Sequence, residues 1–281
     1  MSNQLDLTFD TPEPIDLYVE NGRGTVDVTA TSTTETTVRI TGERAEEYDV
    51  RDLAGETGGR RIAIIAPPRN GFFARDARAE IVVEVPVASG LNAKVGSSDL
   101  VAHGRFDDTR VDSGSGDVSL DVVDGDTVVQ CGSGDLVAEH LAGNARIKSG
   151  SGDVVVRRAD SHLLVTTGSG DVRVEATGDE LAVKTGSGDA LVGSLSGEAI
   201  FTTGSGDLVV HRARSGRVTA RTGSGDVRIG VATGTPVWTD IRTASGRLAS
   251  DLPSTGQPGP DQPYLEVRAT TASGDVTLHQ A

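Results

Sequence analysis

The sequence predicts an all-β fold, a right-handed single-domain β-solenoid (a parallel β-helix) whose 18-residue coils each carry a Gly-Ser-Gly-Asp corner. Three observations predict it. Ser115-Gly116-Asp117 is repeated at Asp135, Asp153, Asp171, Asp189, Asp207 and Asp226, with a worn copy, Ser97-Ser98-Asp99, before them. The steps from Asp99 to Asp226 are 18 residues six times and then 19. A fixed period with one motif per period marks units that bury their apolar faces only by stacking. Around each motif, apolar and other residues alternate with the period of two that belongs to strands, and no stretch carries the period of a long helix.

With each Asp counted as position one, position two is apolar throughout, as in Val118, Leu136, Val154, Val172 and Leu208. Position four adds Leu120, Ala138, Val156 and Val174, and position thirteen adds Val111, Val129, Ile147, Val165, Val183 and Phe201. Position fifteen is always small: Ser113, Cys131, Ser149, Thr167, Thr185 and Thr203. Each coil therefore has two strands, one starting at the Asp and one running into the Gly-Ser-Gly. Stacked coils rise about 4.8 Å each, the usual distance between paired strands. A left-handed hexapeptide helix would need an apolar residue every six positions, and positions eight and fourteen are mostly polar. The right hand follows from the usual sense of parallel crossovers. Positions fifteen and two both point inward at an odd separation, so the corner must break the alternation. A positive φ at its glycines is the expected device, with Ser and Asp bonding to local backbone.

Taken in order, residues 1–98 read as irregular N-terminal β coils and a cap, 99–246 as the regular solenoid, and 247–281 as irregular C-terminal coils and a cap. Leu5, Leu7 and Phe9 alternate, as do Ile15, Leu17 and Val19, then Val26 and Val28, then Val38 and Ile40. Asn21-Gly22-Arg23-Gly24-Thr25-Val26 is a degenerate copy of the later unit, so the coil is expected to begin near Asn21. Ile62–Ala66 and Ile81–Val87 are further strands, separated by a Pro- and Gly-containing loop, Pro67–Arg78. After Asp226 the period lengthens. Val237, Thr239, Ile241 and Thr243 are expected to continue one wall, and Leu265, Val267, Ala269 and Thr271 to form the next. Between them lies a proline-rich excursion, Leu252–Asp261, and Asp275-Val276-Thr277-Leu278 closes the chain.

The Gly-Ser-Gly-Asp-Val units, Glu84-Val85-Pro86 and the closing Ser273-Gly274-Asp275-Val276 resemble the bacterial toastrack family, β-strand-repeat domains of adhesin-like type. The resemblance runs from about Phe9 to Leu278 and is specific for architecture. It implies a right-handed single-stranded β-solenoid, an association with membrane segments in many members, and a link to envelope-stress signalling. It supplies no catalytic residues.

Composition narrows the function. The formal charge is −15 and lysine occurs only at Lys94, Lys148 and Lys184, so the surface repels phosphate backbones and nucleic acid is not an expected partner. Cys131 is the single cysteine, which excludes a disulfide framework and a cysteine metal cluster. There is no apolar run of the length a membrane helix needs. Met1-Ser2-Asn3-Gln4-Leu5-Asp6 has neither a basic region nor an apolar core, so no secretory signal is expected. Together these features predict a soluble, cytoplasmic protein with no integral membrane segment.

The chemistry that most invites a site is the Asp column. Carboxylates about 4.8 Å apart repel by about 1 kcal/mol per neighbour in water. Corner N–H groups would offset this, and so would calcium, for which Asp117, Asp135, Asp153 and Asp171 are the candidate ligands. The glycine-rich calcium nonapeptide has another spacing, so the structural corner is the expected role. His103, His140, His162, His211 and His279 are scattered, and no Ser-His-Asp order, metal-binding His pair or phosphate loop occurs. No enzyme activity, catalytic residue or cofactor is expected, and a polysaccharide-active enzyme would rest on fold analogy alone. The expectation is an intracellular protein-binding scaffold; a surface adhesin or a calcium-stabilised binding module is the alternative. Two places break the repeat in ways the core does not demand. One is the loop with Arg69, Phe72, Phe73, Arg75 and Arg78; the other is Trp238 with Tyr264, which alternation puts on the outside of successive coils. Aromatics and Arg are enriched where interfaces gain most of their energy. Covering the open ends is the competing use of both segments. End-to-end or side-by-side self-association is the remaining partner expected of such a fold.

Overall fold

The computed structural model describes residues 3–54, 59–68, 78–252 and 264–281, and their strands sort into two units, Met1–Gly143 and Asn144–Ala281. Among the described residues the only helical element is one 3-10 turn, Ala45–Glu47.

The first unit contains β1 (Asn3–Asp10), β2 (Asp16–Thr31), β3 (Glu35–Gly42), β4 (Asp49–Ala54), β5 (Arg60–Ile65), β6 (Arg78–Pro86), β7 (Ser89–Ser113), β8 (Val118–Val123), β9 (Thr127–Cys131) and β10 (Leu136–Leu141). β7 pairs in parallel with β8 and β9, and β8 with β10, in the 18-residue register from Leu100 to Val118 to Leu136. The coil starts earlier than Asn21. Asp16 already faces Gly90, and Ile15, Leu17 and Val19 are buried with the later columns, because β2 runs on from them in the same strand, its inward side changing from odd to even residues between Asn21 and Val26. The opposite edge of β2 is covered by β5 and β6. Those two are backed by antiparallel strands, β4 on β5, β3 on β6, and β1 on β3. The strand that is first to enter the stack is therefore an interior one. Asn21 marks the join: fully buried, it donates to Ala79 O at 3.0 Å and accepts the Tyr48 hydroxyl at 2.9 Å, so its polar atoms are satisfied where water cannot reach.

The second unit contains β11 (Ala145–Ser149), β12 (Val154–Ala159), β13 (Leu163–Thr167), β14 (Val172–Thr177), β15 (Leu181–Thr185), β16 (Ala190–Thr203), β17 (Leu208–Thr222), β18 (Val227–Val231), β19 (Val237–Thr243), β20 (Leu248–Ser250), β21 (Leu265–Thr271) and β22 (Val276–Gln280). One wall runs β11, β13, β15, second half of β16, second half of β17; the other runs β12, β14, first half of β16, first half of β17, β18. All of it is parallel. The 19-residue step has a local cause: Leu195 faces Ala213 but Gly197 faces Gly216, so one extra residue is accommodated at that bend.

The order of the last two coils is not the order of the chain. β21 pairs with β17 on one side and β19 on the other, and β22 pairs with β18 and β20. The expectation that Val237–Thr243 comes next in the wall is therefore corrected. The final coil is inserted ahead of it, and β19 and β20 form the outermost layer among the described residues. Burial follows: Leu265, Val267 and Ala269 are sealed, whereas β19 is half-buried and β20 exposed.

The core columns are those of the repeat. Val118, Val129, Leu136, Ile147, Val154 and Val165 are at most 2% exposed, each such burial contributing about 1.5–3 kcal/mol. A column that period-two reading does not reveal completes them: Val123 and Leu141 in the first unit, Ala159, Thr177, Leu195 and Ala213 in the second. It lies three residues beyond position four, where the wall turns and strict alternation stops.

Candidate interaction surface

The corner explains the repeated motif. In the second unit Asp171 N–H donates to Asp153 Oδ1, Asp189 to Asp171, Asp207 to Asp189 and Asp226 to Asp207, each at 2.8 Å. In the first, Asp117 N–H reaches Asp99 Oδ1 at 3.1 Å and Asp135 N–H reaches Asp117 Oδ1 at 2.9 Å. The return bond is backbone to backbone, as from Val154 N–H to Asp171 O and from Val172 N–H to Asp189 O. Each carboxylate thus stands in for the carbonyl that the ladder lacks at the bend. A charge-assisted bond offsets the repulsion along the column. Of the calcium candidates, Asp117, Asp153 and Asp171 each have Oδ1 committed to such a donor, and Asp135 supplies the donor to Asp117. Among the described residues no group of three or more His, Cys, Asp or Glu is placed to hold a metal ion.

The small residue at position fifteen is a cap. Thr167, Thr185 and Thr203 Oγ1 accept the N–H of Gly170, Gly188 and Gly206 at 2.9–3.1 Å, and Ser149 Oγ donates to Gly152 O. Period alone predicted a small residue there, not a hydroxyl. The glycines also differ from expectation. Positive φ among described glycines is confined to Gly24, Gly104, Gly197, Gly216 and Gly234, none of them in the Gly-Ser-Gly corners. Glycine is needed there because the coils approach too closely: a Cβ on Gly170 would lie 2.1 Å from Gly152 O.

Among the sequence-predicted contact residues, Arg69, Phe72, Phe73 and Arg75 lie outside the described residues. Arg78 opens β6, is exposed, and faces Arg23 of β2. Trp238 and Tyr264 lie at neighbouring strands at the C-terminal end of the second unit. Trp238 in β19 is 48% exposed, and Tyr264, just before β21, is 44% exposed two residues out of register with it. Between them lies a feature the sequence did not show. Glu266, the cross-strand partner of Trp238, is buried and accepts Arg217 Nε at 2.8 Å and Arg268 Nε at 2.6 Å. Arg217 first, then Arg268, holds its carboxyl below the ordinary carboxylate value against the opposing effect of burial. The Arg268 guanidinium also lies 5.8 Å from the Trp238 ring centroid, within cation–π range. Behind this wall, at the open end, a hollow of about 260 Å³ is lined by Val231, Val237, Ile241, Leu248, Leu252 and Leu278 among others.

Two histidines find acids that sequence distance disguised. His103 Nδ1 lies 3.4 Å from Asp121 and His162 Nε2 lies 2.7 Å from Glu180, each pair 18 residues apart on exposed surface. These are neighbours in adjacent coils.

A family model described as Toastrack DUF4097 matches residues 15–279. The chain belongs to the toastrack family. No curated protein matches this toastrack chain. Solved structures similar to it include a "putative adhesin" from Parabacteroides merdae, 12% identical over 100% of this chain and 96% of that one, TM-score 0.40. Another is a "putative lipid binding protein" from Parabacteroides distasonis, 13% identical over 98% and 96%, TM-score 0.38. A "putative adhesin" from Bacteroides fragilis is 10% identical over 98% and 97%, TM-score 0.30. No helix among the toastrack chain's described residues is long and apolar enough to cross a membrane.

Proposed function

We propose that this toastrack chain is a non-catalytic interaction module that engages a protein partner through the outer wall around Trp238, Tyr264 and Arg268. The observation that carries the reading is the exposure of Trp238 and Tyr264 side by side. The chain has one Trp and three Tyr in 281 residues, and it places two of these four on one patch of surface that the core does not need. Trp, Tyr and Arg are the residue types on which interface energy concentrates. The buried Glu266 bridge holds Arg268 against the Trp238 ring, so part of the patch is ordered before a partner arrives. The non-catalytic half of the reading is supported by what the titratable groups do: the corner aspartates complete the coil ladder, and His103 and His162 each lie against an exposed acid of the neighbouring coil.

The test is quantitative capture by the full chain and by Trp238→Ser/Tyr264→Ser. A protein retained by the first and lost from the second, with both melting alike, is the expected result. Equal capture by both refutes the site, and loss of glycan binding in place of protein binding transfers it to the adhesin reading. The intracellular scaffold role rests on composition, a strongly acidic chain with one thiol. Fractionation of native cells checks it, recovery in the cytosolic fraction being expected and recovery in the envelope fraction favouring the adhesin.

A further inference from the structure

The outermost layer of the second unit leaves strand edges unpaired among the described residues, since β19 is joined to β21 and β20 to β22, each along one side. The hydrogen-bond phase of β19 is fixed by Leu265 N–H to Pro236 O at 2.9 Å and Ala244 N–H to Thr271 O at 3.3 Å. Main-chain groups of alternate residues face alternate sides of a strand. The even-numbered residues of β19 therefore address β21, and Val237, Thr239, Ile241 and Thr243 point N–H and C=O away from it. Such an edge is a template for another strand. The side chains inside it are incompletely covered: Val237 and Ile241 are half-buried over the hollow, and Leu248 of β20 is 56% exposed.

We infer that this edge is the interface with a second copy of the chain, formed by antiparallel pairing of β19 with itself about a twofold axis at Ile241. Charge selects that axis. With Ile241 opposite its own counterpart, Thr239 faces the partner's Thr243 and Asp240 faces the partner's Arg242. Ile241 and Thr239 then occupy hydrogen-bonded pairs, as their outward groups require. Asp240 and Arg242 occupy the non-hydrogen-bonded site, where Cα atoms come to about 4.5 Å and side chains are closest. The twofold supplies this pair twice. Moving the axis to Thr239 sets Asp240 against the partner's Trp238, and moving it to Thr243 sets Arg242 against the partner's Ala244. Both charge pairs are lost. An axis on Asp240 or Arg242 opposes like charges, and it also asks for main-chain groups already bonded to β21. The formal charge of −15 on each copy opposes association, but only within a screening length of about 8–10 Å at physiological salt, so contact pairs and apolar closure decide. In the dimer the two Trp238 side chains share one outer wall, six residues apart along the pairing, or about 20 Å.

Sedimentation equilibrium of the full chain tests the inference, with wild type, Asp240→Arg, Arg242→Asp, the double exchange, and Thr239→Pro. The wild type is expected to dimerise below about 100 µM. Each single reversal sets like charges opposite each other twice and should weaken the dimer about tenfold, while the double exchange restores opposite pairs and should return to within about threefold of wild type. Thr239→Pro removes an outward N–H and leaves the bonds to β21, so it should yield a monomer with an unchanged melt. A wild type monomeric at that concentration overturns the inference. So does a dimer indifferent to the single reversals, or a double exchange no better than either single.

Discussion

Gly170→Ala tests whether close approach of the coils, rather than backbone conformation, is why the corners need glycine. The added methyl would meet Gly152 O at 2.1 Å, Gly152 C at 2.6 Å and Ser151 O at 3.1 Å, all backbone atoms with no rotamer to yield. Ordinary contact begins near 3.4 Å, so the two coils must part locally by roughly 1.3 Å. That displacement breaks the 2.8 Å bond from Asp171 N–H to Asp153 Oδ1 and the 3.2 Å bond from Ser169 N–H to Gly150 O. Two lost bonds at about 0.5–1.5 kcal/mol each, with overpacking at about 1–3 kcal/mol, total about 2–6 kcal/mol. Asp171→Ala removes one charge-assisted acceptor from Asp189 N–H on exposed surface, where water substitutes, and relieves repulsion from its neighbours. It should cost about 1–2 kcal/mol. Thermal melts followed by circular dichroism should show Gly170→Ala lower by roughly 4–18 °C and Asp171→Ala by a few degrees. Equal melts for wild type and Gly170→Ala, or a larger loss for Asp171→Ala, would refute the close-approach argument.

Cys131 sits at position fifteen, where the other coils use a hydroxyl, and its thiol is pushed up to about 11, by burial first and by Asp117 second. Alkylation near neutral pH should be negligible until the chain unfolds, and Cys131→Thr should raise the melt by the equivalent of about 0.5–1 kcal/mol by restoring the cap. Glu266 has a folded pKa below its ordinary 4.5, so its contribution is present above that value and is lost as pH falls through the lower folded one. Melts of Glu266→Gln should accordingly be flatter than wild type below about pH 4.5, and parallel curves there would contradict the Arg217 and Arg268 bridge. Because Asp153 and Asp171 already accept backbone N–H groups, millimolar calcium should leave the melting temperature unchanged; a rise of many degrees would make the column a binding site through linkage.

Much of the fold was legible because its decisive signals are local and repeated. The 18-residue period, the inward columns at Val118, Val129, Leu136 and Ile147, and the break of alternation at the corner each follow from which residues can face a dry interior. Trp238 and Tyr264 were legible as surface residues for the same reason. The salt-bridged Glu266 was not: its partners Arg217 and Trp238 come from strands far apart in sequence, joined only once β21 is inserted between β17 and β19.

That insertion is what the tertiary structure alone decided. Parallel neighbours carry the same alternating pattern whichever comes first, so local sequence is nearly silent on their order. The order is settled by which strand can afford an unpaired edge. Leu265, Val267 and Ala269 offer an apolar inner face to a position paired on both sides. Val237, Thr239 and Ile241 offer a more polar one. Within the first unit β2 is likewise enclosed, by β7 on one edge and β5 and β6 on the other. The repeat determined what a coil is; competition for buried edges determined which strands close the stack.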